Sequence, residues 1–277
     1  MRWFRRKQAK IRFDADGTVD CLTGDDDFIF YSSRNSRGRF IHKIQGTDSA
    51  CNPLQFCDHS SPCVFLHKKM LYYSRFENGR GTIWRVSKGT FPYATHKVFC
   101  KCNNSSCWGK ITQIDSLSVN DTLIVILEQN TIKVFEKSTG CLKRSIENFN
   151  DQKVLNEVAI DKESGLYFLY TENSNSQICV FKDPISDRRW TRLEEVLIDT
   201  HVPKITLNNY SLLFSHNKDV FFHHIKQNKK TIKYFEIGDS GNIKCFSYLE
   251  KKQFAVVLTD EEMTIWKMDF DVMFDDT

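Results

Sequence analysis

Residues 130–140 read Asn130-Thr131-Ile132-Lys133-Val134-Phe135-Glu136-Lys137-Ser138-Thr139-Gly140. β-branched and aromatic residues alternate with polar ones and run into a Ser-Thr-Gly turn, the chemistry of a short strand and its stop. The phrase returns as Thr82-Ile83-Trp84-Arg85-Val86, as Gln177-Ile178-Cys179-Val180-Phe181-Lys182 and as Thr264-Ile265-Trp266-Lys267-Met268-Asp269. Recurrence at roughly 40 to 50 residues marks stacked copies of one small sheet, because such a sheet cannot bury both faces without a copy on each side.

Outward from these phrases, strand signals fall in sets of four. The first set is residues 18–22, 28–32, 40–44 and 54–57, and the second 63–67, 71–75, 82–86 and 96–100. Residues 111–117, 123–127, 131–135 and 142–146 make the third, and 154–160, 166–171, 177–181 and 193–198 the fourth. In the fifth, Thr231–Glu236 mimics the third-strand phrase, but giving that role to Val220–Ile225 spaces the anchors Ile41, Ile83, Ile132, Ile178, Phe222 and Ile265 by 42, 49, 46, 44 and 43. The even spacing assigns 231–235 to the outer strand. The sixth set has 243–248, 254–258 and 263–268 but no clear fourth member.

Lys10-Ile11-Arg12-Phe13 is unassigned at the other end of the chain and supplies that member. The expected fold is all-β: a single six-bladed β-propeller of four-stranded antiparallel blades, closed by an N-terminal strand in the last blade, with seven blades left open. The rival assignment continues the last blade into Asp271-Val272-Met273-Phe274. Residues 1–16 are read as a basic segment completing the last blade, 17–270 as the propeller and 271–277 as an acidic tail.

Phe135-Glu136 before Ser138-Thr139-Gly140 resembles the end of a WD repeat, where a Trp-Asp pair closes the third strand ahead of a Thr-Gly-type turn. Met268-Asp269 and Phe181-Lys182 are looser versions. The Gly-His pair that opens such repeats is absent, so the family's buried His-Asp network does not carry over. The resemblance implies a non-enzymatic scaffold.

At 277 residues, with 40% hydrophobic and 13% aromatic residues, the chain has ample material for one core. Its 39 Lys and Arg nearly balance 35 Asp and Glu, so the net charge of +4 demands no polyanionic partner. No apolar stretch follows Met1–Lys7 and no run approaches about 18 apolar residues, so the expectation is an intracellular protein, cytoplasmic or nuclear, with no membrane contact. The 10 Cys then read as thiols.

No metal site is expected. Cys51, Cys57 and Cys63 with His59, and Cys100, Cys102 and Cys107, lack the knuckle spacing of structural zinc. His223 and His224 are neighbours on one strand and point to opposite faces. No cofactor, small-molecule substrate or catalytic residue is inferred: there is no Gly-x-Ser-x-Gly elbow, phosphate-binding loop or His-Glu-x-x-His. An enzyme in the central channel would need carboxylates or His at the inner strands, and spacing reveals none.

The function expected from these readings is a protein-interaction scaffold within a hetero-complex. Its binding rim carries Arg34, Arg37, Arg39, Arg80 and Trp108, with Asp260–Glu262 making the opposite side negative. The rival is a nucleic-acid-associated protein that holds phosphates through the same arginine-rich rim together with the basic N-terminus, Arg2, Arg5, Arg6 and Lys7 beside Trp3 and Phe4. Under the plainer reading those cations are solvated and protect a sheet edge.

Overall fold

The computed structural model describes residues 6–12, 18–25, 27–45, 51–56, 63–77, 80–98, 111–147, 153–172, 175–187, 189, 191–198, 205–208, 211–216, 219–224, 232–236, 243, 245–249, 254–258 and 262–267. The first strand is β1 (Arg6–Arg12). After it β2 (Thr18–Gly24), β3 (Phe28–Asn35), β4 (Gly38–Gln45) and β5 (Cys51–Phe56) pair in sequence order as a first sheet. The second sheet holds β6 (Val64–His67), β7 (Met70–Glu77), β8 (Arg80–Ser87) and β9 (His96–Lys97). The third holds β10 (Ser116–Val119), β11 (Leu123–Glu128), β12 (Thr131–Glu136) and β13 (Leu142–Ile146), and the fourth β14 (Lys153–Ile160), β15 (Leu166–Glu172), β16 (Asn175–Phe181) and β17 (Thr191–Ile198). The fifth is β18 (Ile205–Asn208), β19 (Ser211–His216), β20 (Asp219–His224) and β21 (Ile232–Glu236). In the sixth, β22 (Cys245–Leu249), β23 (Phe254–Leu258) and β24 (Glu262–Lys267) are followed by β1, which pairs antiparallel with β24 through Ala9↔Ile265 and Ile11↔Met263.

The chain is therefore all-β, and its described strands form six four-stranded antiparallel sheets. The six anchors each fall in the third strand of a sheet, and β21 pairs outside β20 as the even spacing requires. Two expected strand starts move by four residues or more. The strand expected from Ile111 starts at Ser116, because the preceding carbonyls are used across the seam: Ile111 O accepts Gly81 N–H at 2.6 Å, and Ile114 O and Asp115 O lie within 3.3 and 3.2 Å of the Cys63 thiol. The N-terminal strand starts earlier than Lys10, at Arg6. The 271–277 segment lies outside the described residues.

The core consists of layers between consecutive sheets, and this explains strands that are apolar on both faces. In β11, Leu123, Val125 and Leu127 pack with Phe168 and Phe181 of the fourth sheet, while Ile124 and Ile126 pack with Tyr72 and Ile83 of the second. Each fully buried side chain of this size contributes about 1.5–3 kcal/mol. β15 does the same with Phe168 facing the third sheet and Leu169 the fifth. A further layer joins Val19, Leu22 and Ile44 of the first sheet to Cys245, Met263 and Ile265 of the sixth.

The turn quoted at the outset is held by its own residues. Glu136 stands where the WD pattern has Asp, and its carboxylate accepts the Thr139 hydroxyl at 2.6 Å while Gly140, at φ 69°, donates its N–H to the Glu136 carbonyl at 2.7 Å. A left-handed residue there favours glycine. Among the described residues no helix is long and apolar enough to cross a membrane.

Candidate functional site

The first strand of each sheet has a ladder neighbour on one side only, and these strands lie side by side: β2 with β6, β6 with β10, β10 with β14, β14 with β18, β18 with β22, and β22 with β2. Between them is a cavity of about 140 Å³ to which all six contribute, with Cys21, Cys63, Ser116, Glu157, Leu207 and Ser247 among its walls. Strands without a shared ladder still present N–H and C=O groups to one another, and buried ones need partners.

Small polar side chains supply them. Thr23 Oγ1 accepts the Leu66 N–H at 2.9 Å, and Cys21 Sγ lies 3.5 Å from both N and O of Val64. Two sheets further on, Ser118 Oγ accepts the Ile160 N–H at 3.0 Å and Ser116 Oγ accepts that of Val158 at 3.3 Å. The Ser116 hydroxyl donates to Glu157 Oε1, and Glu157 is only 7% exposed. Asn120 ends the same strand: its Oδ1 accepts the N–H groups of Thr122 and Leu123, and its Nδ2 donates to the Asp161 carbonyl at 2.9 Å. Burial raises the Asp161 carboxyl above its ordinary pKa against hydrogen bonds from Gly165 and Glu163 backbone and the Tyr167 hydroxyl.

A second acidic residue lines the cavity: Asp115, whose carboxylate accepts Gln129 N–H at 2.7 Å and Gln113 Nε2 at 2.5 Å. Spacing revealed no carboxylates at the inner strands, yet the fold brings Asp115 and Glu157 into one cavity wall. The signal was available in the first strands. Cys21-Leu22-Thr23, Ser116-Leu117-Ser118 and Cys245-Phe246-Ser247 each carry small polar residues two apart, and superposing them by repeat puts Glu157 in the row.

The residues singled out from the sequence lie elsewhere. Arg34 and Arg39 face each other across the β3–β4 ladder, Arg37 is exposed in its turn, and Arg34 Nε donates to Thr18 Oγ1 at 2.9 Å. Arg80 is exposed and opposite Glu77. Both turns join second to third strands, so these arginines share one rim of neighbouring sheets; Trp108 and Asp260–Glu261 lie outside the described residues, and Glu262 begins β24. Arg6 and Lys7 are in β1 opposite Lys267 and Trp266, while Arg2 and Arg5 are outside the described residues. Cys63 is a buried thiol in the cavity wall and Cys51 begins β5; Cys57, His59, Cys100, Cys102 and Cys107 are outside the described residues. His223 and His224 end β20 opposite Leu212 and Ser211.

No protein-family model matches this chain, and no curated protein matches its sequence. Solved structures of similar fold do. U3-55K matches with a TM-score of 0.61 at 10% identity, covering 94% of this chain and 98% of that one. Streptogramin B lyase matches with a TM-score of 0.62 at 10% identity, covering 96% and 98%. A catalytically inactive virginiamycin B lyase from Staphylococcus aureus, solved with quinupristin, matches at 0.61 and 9%, covering 96% and 100%. These neighbours are propeller-like β proteins, and at such identity the likeness is one of fold.

The neighbours correct the functional expectation. The non-catalytic scaffold, with nucleic-acid association as its rival, rested on the fold's usual company, and the same fold includes a lyase. Function resides in the side chains a fold presents, not in the fold.

Proposed function

We propose that this chain is a divergent six-bladed β-propeller, closed by its N-terminal strand, that binds a small positively charged ligand in its central channel. In this reading residues 1–16 complete the last blade of a ring formed by 17–270. The pairing of β1 with β24 and the layer joining first and sixth sheets support closure.

One observation carries the ligand reading: the residues lining the cavity include the acidic Asp115 and Glu157 and, among the described residues, no Lys, Arg or His. Ser118 and Ser247 line the same cavity, and a hydroxyl is a further acceptor. An ammonium group offers three donors and no acceptor, so it matches such a wall. The volume, about 140 Å³, is below the roughly 300–1,000 Å³ of drug-sized sites, so the ligand is small.

Calorimetric titration of the intact protein with methylammonium, ethylammonium and guanidinium tests this. One of them should bind with one-to-one stoichiometry, and Glu157→Gln, which keeps an acceptor for Ser116, should weaken it by about tenfold or more. Absence of saturable binding by all three cations, or unchanged affinity in a folded Glu157→Gln protein, overturns the reading.

A further inference from the structure

A second charged site lies on the rim where the β6–β7, β10–β11 and β12–β13 turns meet, at the seam of the second and third sheets. Four basic side chains gather there around one carboxylate. His67 Nε2 lies 3.0 Å from Asp121 Oδ1, and Lys68, whose backbone is left-handed at φ 54°, forms an ion pair with the same oxygen. Lys137 arrives from the other sheet: its Nζ donates to the Asn120 carbonyl at 2.8 Å and stands 5.7 Å from the centre of the Tyr72 ring. Arg85, opposite Tyr72 in the β7–β8 ladder, hydrogen-bonds the Tyr72 hydroxyl.

The charges do not balance. Among the described residues Lys68, Lys137 and Arg85 outnumber Asp121, which Lys68 and His67 already engage. The Lys137 ammonium is half-buried, and its pKa falls below the ordinary 10.5 mainly through burial; Asp121 opposes the shift while Lys68 and Arg85 add to it. Burying a cation beside other cations is unfavourable unless an anion joins them. The geometry also favours one. The carbonyl of Asn120 and the face of Tyr72 hold Lys137 in place, so little side-chain freedom is lost on binding.

We propose that this seam binds an oxyanion of the phosphate class, with Lys137 and Lys68 as direct donors and Arg85 completing the charge. A tetrahedral oxyanion presents several strong acceptors to converging donors, and charge-assisted hydrogen bonds of this kind are about twice as strong as neutral ones. Protonation of His67 adds a further positive charge to the seam. The site is independent of the channel ligand.

The test is a calorimetric titration of the intact protein at low ionic strength with inorganic phosphate and, separately, glycerol phosphate. Saturable one-to-one binding is expected. Lys137→Met should weaken it by about tenfold or more, and Lys68→Gln, at a side chain 67% exposed, should weaken it by about threefold without unfolding the protein. The charge-matched control Lys162→Gln, exposed in the β14–β15 turn, should stay within about twofold. Tighter binding of the ester identifies the phosphoryl group of a larger molecule, and equal binding identifies free phosphate. No saturable binding of either, unchanged affinity in both seam variants, or an equal loss in the control overturns the proposal. If Lys137→Met does not fold, Lys68→Gln decides.

Discussion

Thr23 and Leu66 are joined across the seam of the first two sheets, the Thr23 hydroxyl accepting the Leu66 N–H at 2.9 Å. Ser118 and Ile160 repeat the link two sheets on at 3.0 Å. The partners are 43 and 42 residues apart, one repeat in each case. At these two seams the neighbouring first strands are joined by hydroxyls and a thiol of the strand before. The same device draws Ser116 to Glu157, so the links that hold the seams also build the cavity wall.

Removing these hydroxyls should destabilise the fold in proportion to burial. Ser118→Ala leaves the Ile160 N–H without its acceptor and should cost about 1–3 kcal/mol, and Thr23→Val should cost a similar amount at Leu66. Urea unfolding with an unchanged slope measures it; a loss below about 0.5 kcal/mol in both would mean that the seam bonds are replaceable by water.

Gly81 is required by close approach. A Cβ there would lie 2.7 Å from Ile111 Cγ2, while the Gly81 N–H is bonded to the Ile111 carbonyl. Gly81→Ala should therefore cost about 1–3 kcal/mol through overpacking, and less in an Ile111→Ala background where the offending methyl is gone. Equal costs in both backgrounds would place the strain elsewhere.

Deletion of residues 1–12 should lower the melting temperature by several degrees and promote association, because it removes the whole of β1 and exposes the edge of β24. A truncated chain that melts unchanged and stays monomeric would show that β1 adds nothing to the sixth sheet.

His67 should titrate below its ordinary 6.5. Burial is the main cause, the Asp121 hydrogen bond opposes it, and Lys137 adds to it. With the folded pKa below the unfolded one, the unfolded chain holds more protons between the two. The contribution is therefore complete above about pH 6.5 and is lost as pH falls through the folded value. Between about pH 7.5 and 5.5 the protein should lose more stability than His67→Gln does. An imidazole midpoint above 6.5 by proton NMR would reverse the sign.

Strand positions, the grouping in fours and the third-strand register were legible in the sequence because they are local: alternation, two-faced apolar runs and turn residues act within about ten residues. The even spacing of Ile178, Phe222 and Ile265 assigned β20 and β21 correctly against a closer sequence match. The start of β10 was misread, because Ile111-Thr112-Gln113-Ile114-Asp115 has strand-like residues whose carbonyls are taken by Gly81 and Cys63 of another sheet.

The sites depended on which distant side chains meet across seams. Ser116 and Glu157 are 41 residues apart, and Lys137 over Tyr72 joins different sheets. The repeat aligns Glu157 with Ser116 but does not say that their side chains meet, and nothing marks Tyr72 as the partner of Lys137, since the meeting is set by how twisted sheets stack and which face each strand turns to its neighbour. An all-β chain of repeated four-stranded sheets could be read from the residues alone, because alternation and turn chemistry act on neighbouring residues. That Asp115 and Glu157 line one cavity and that Lys68, Lys137 and Arg85 share a rim emerges from the packing, because burial and unbalanced charge arise only once the sheets are side by side.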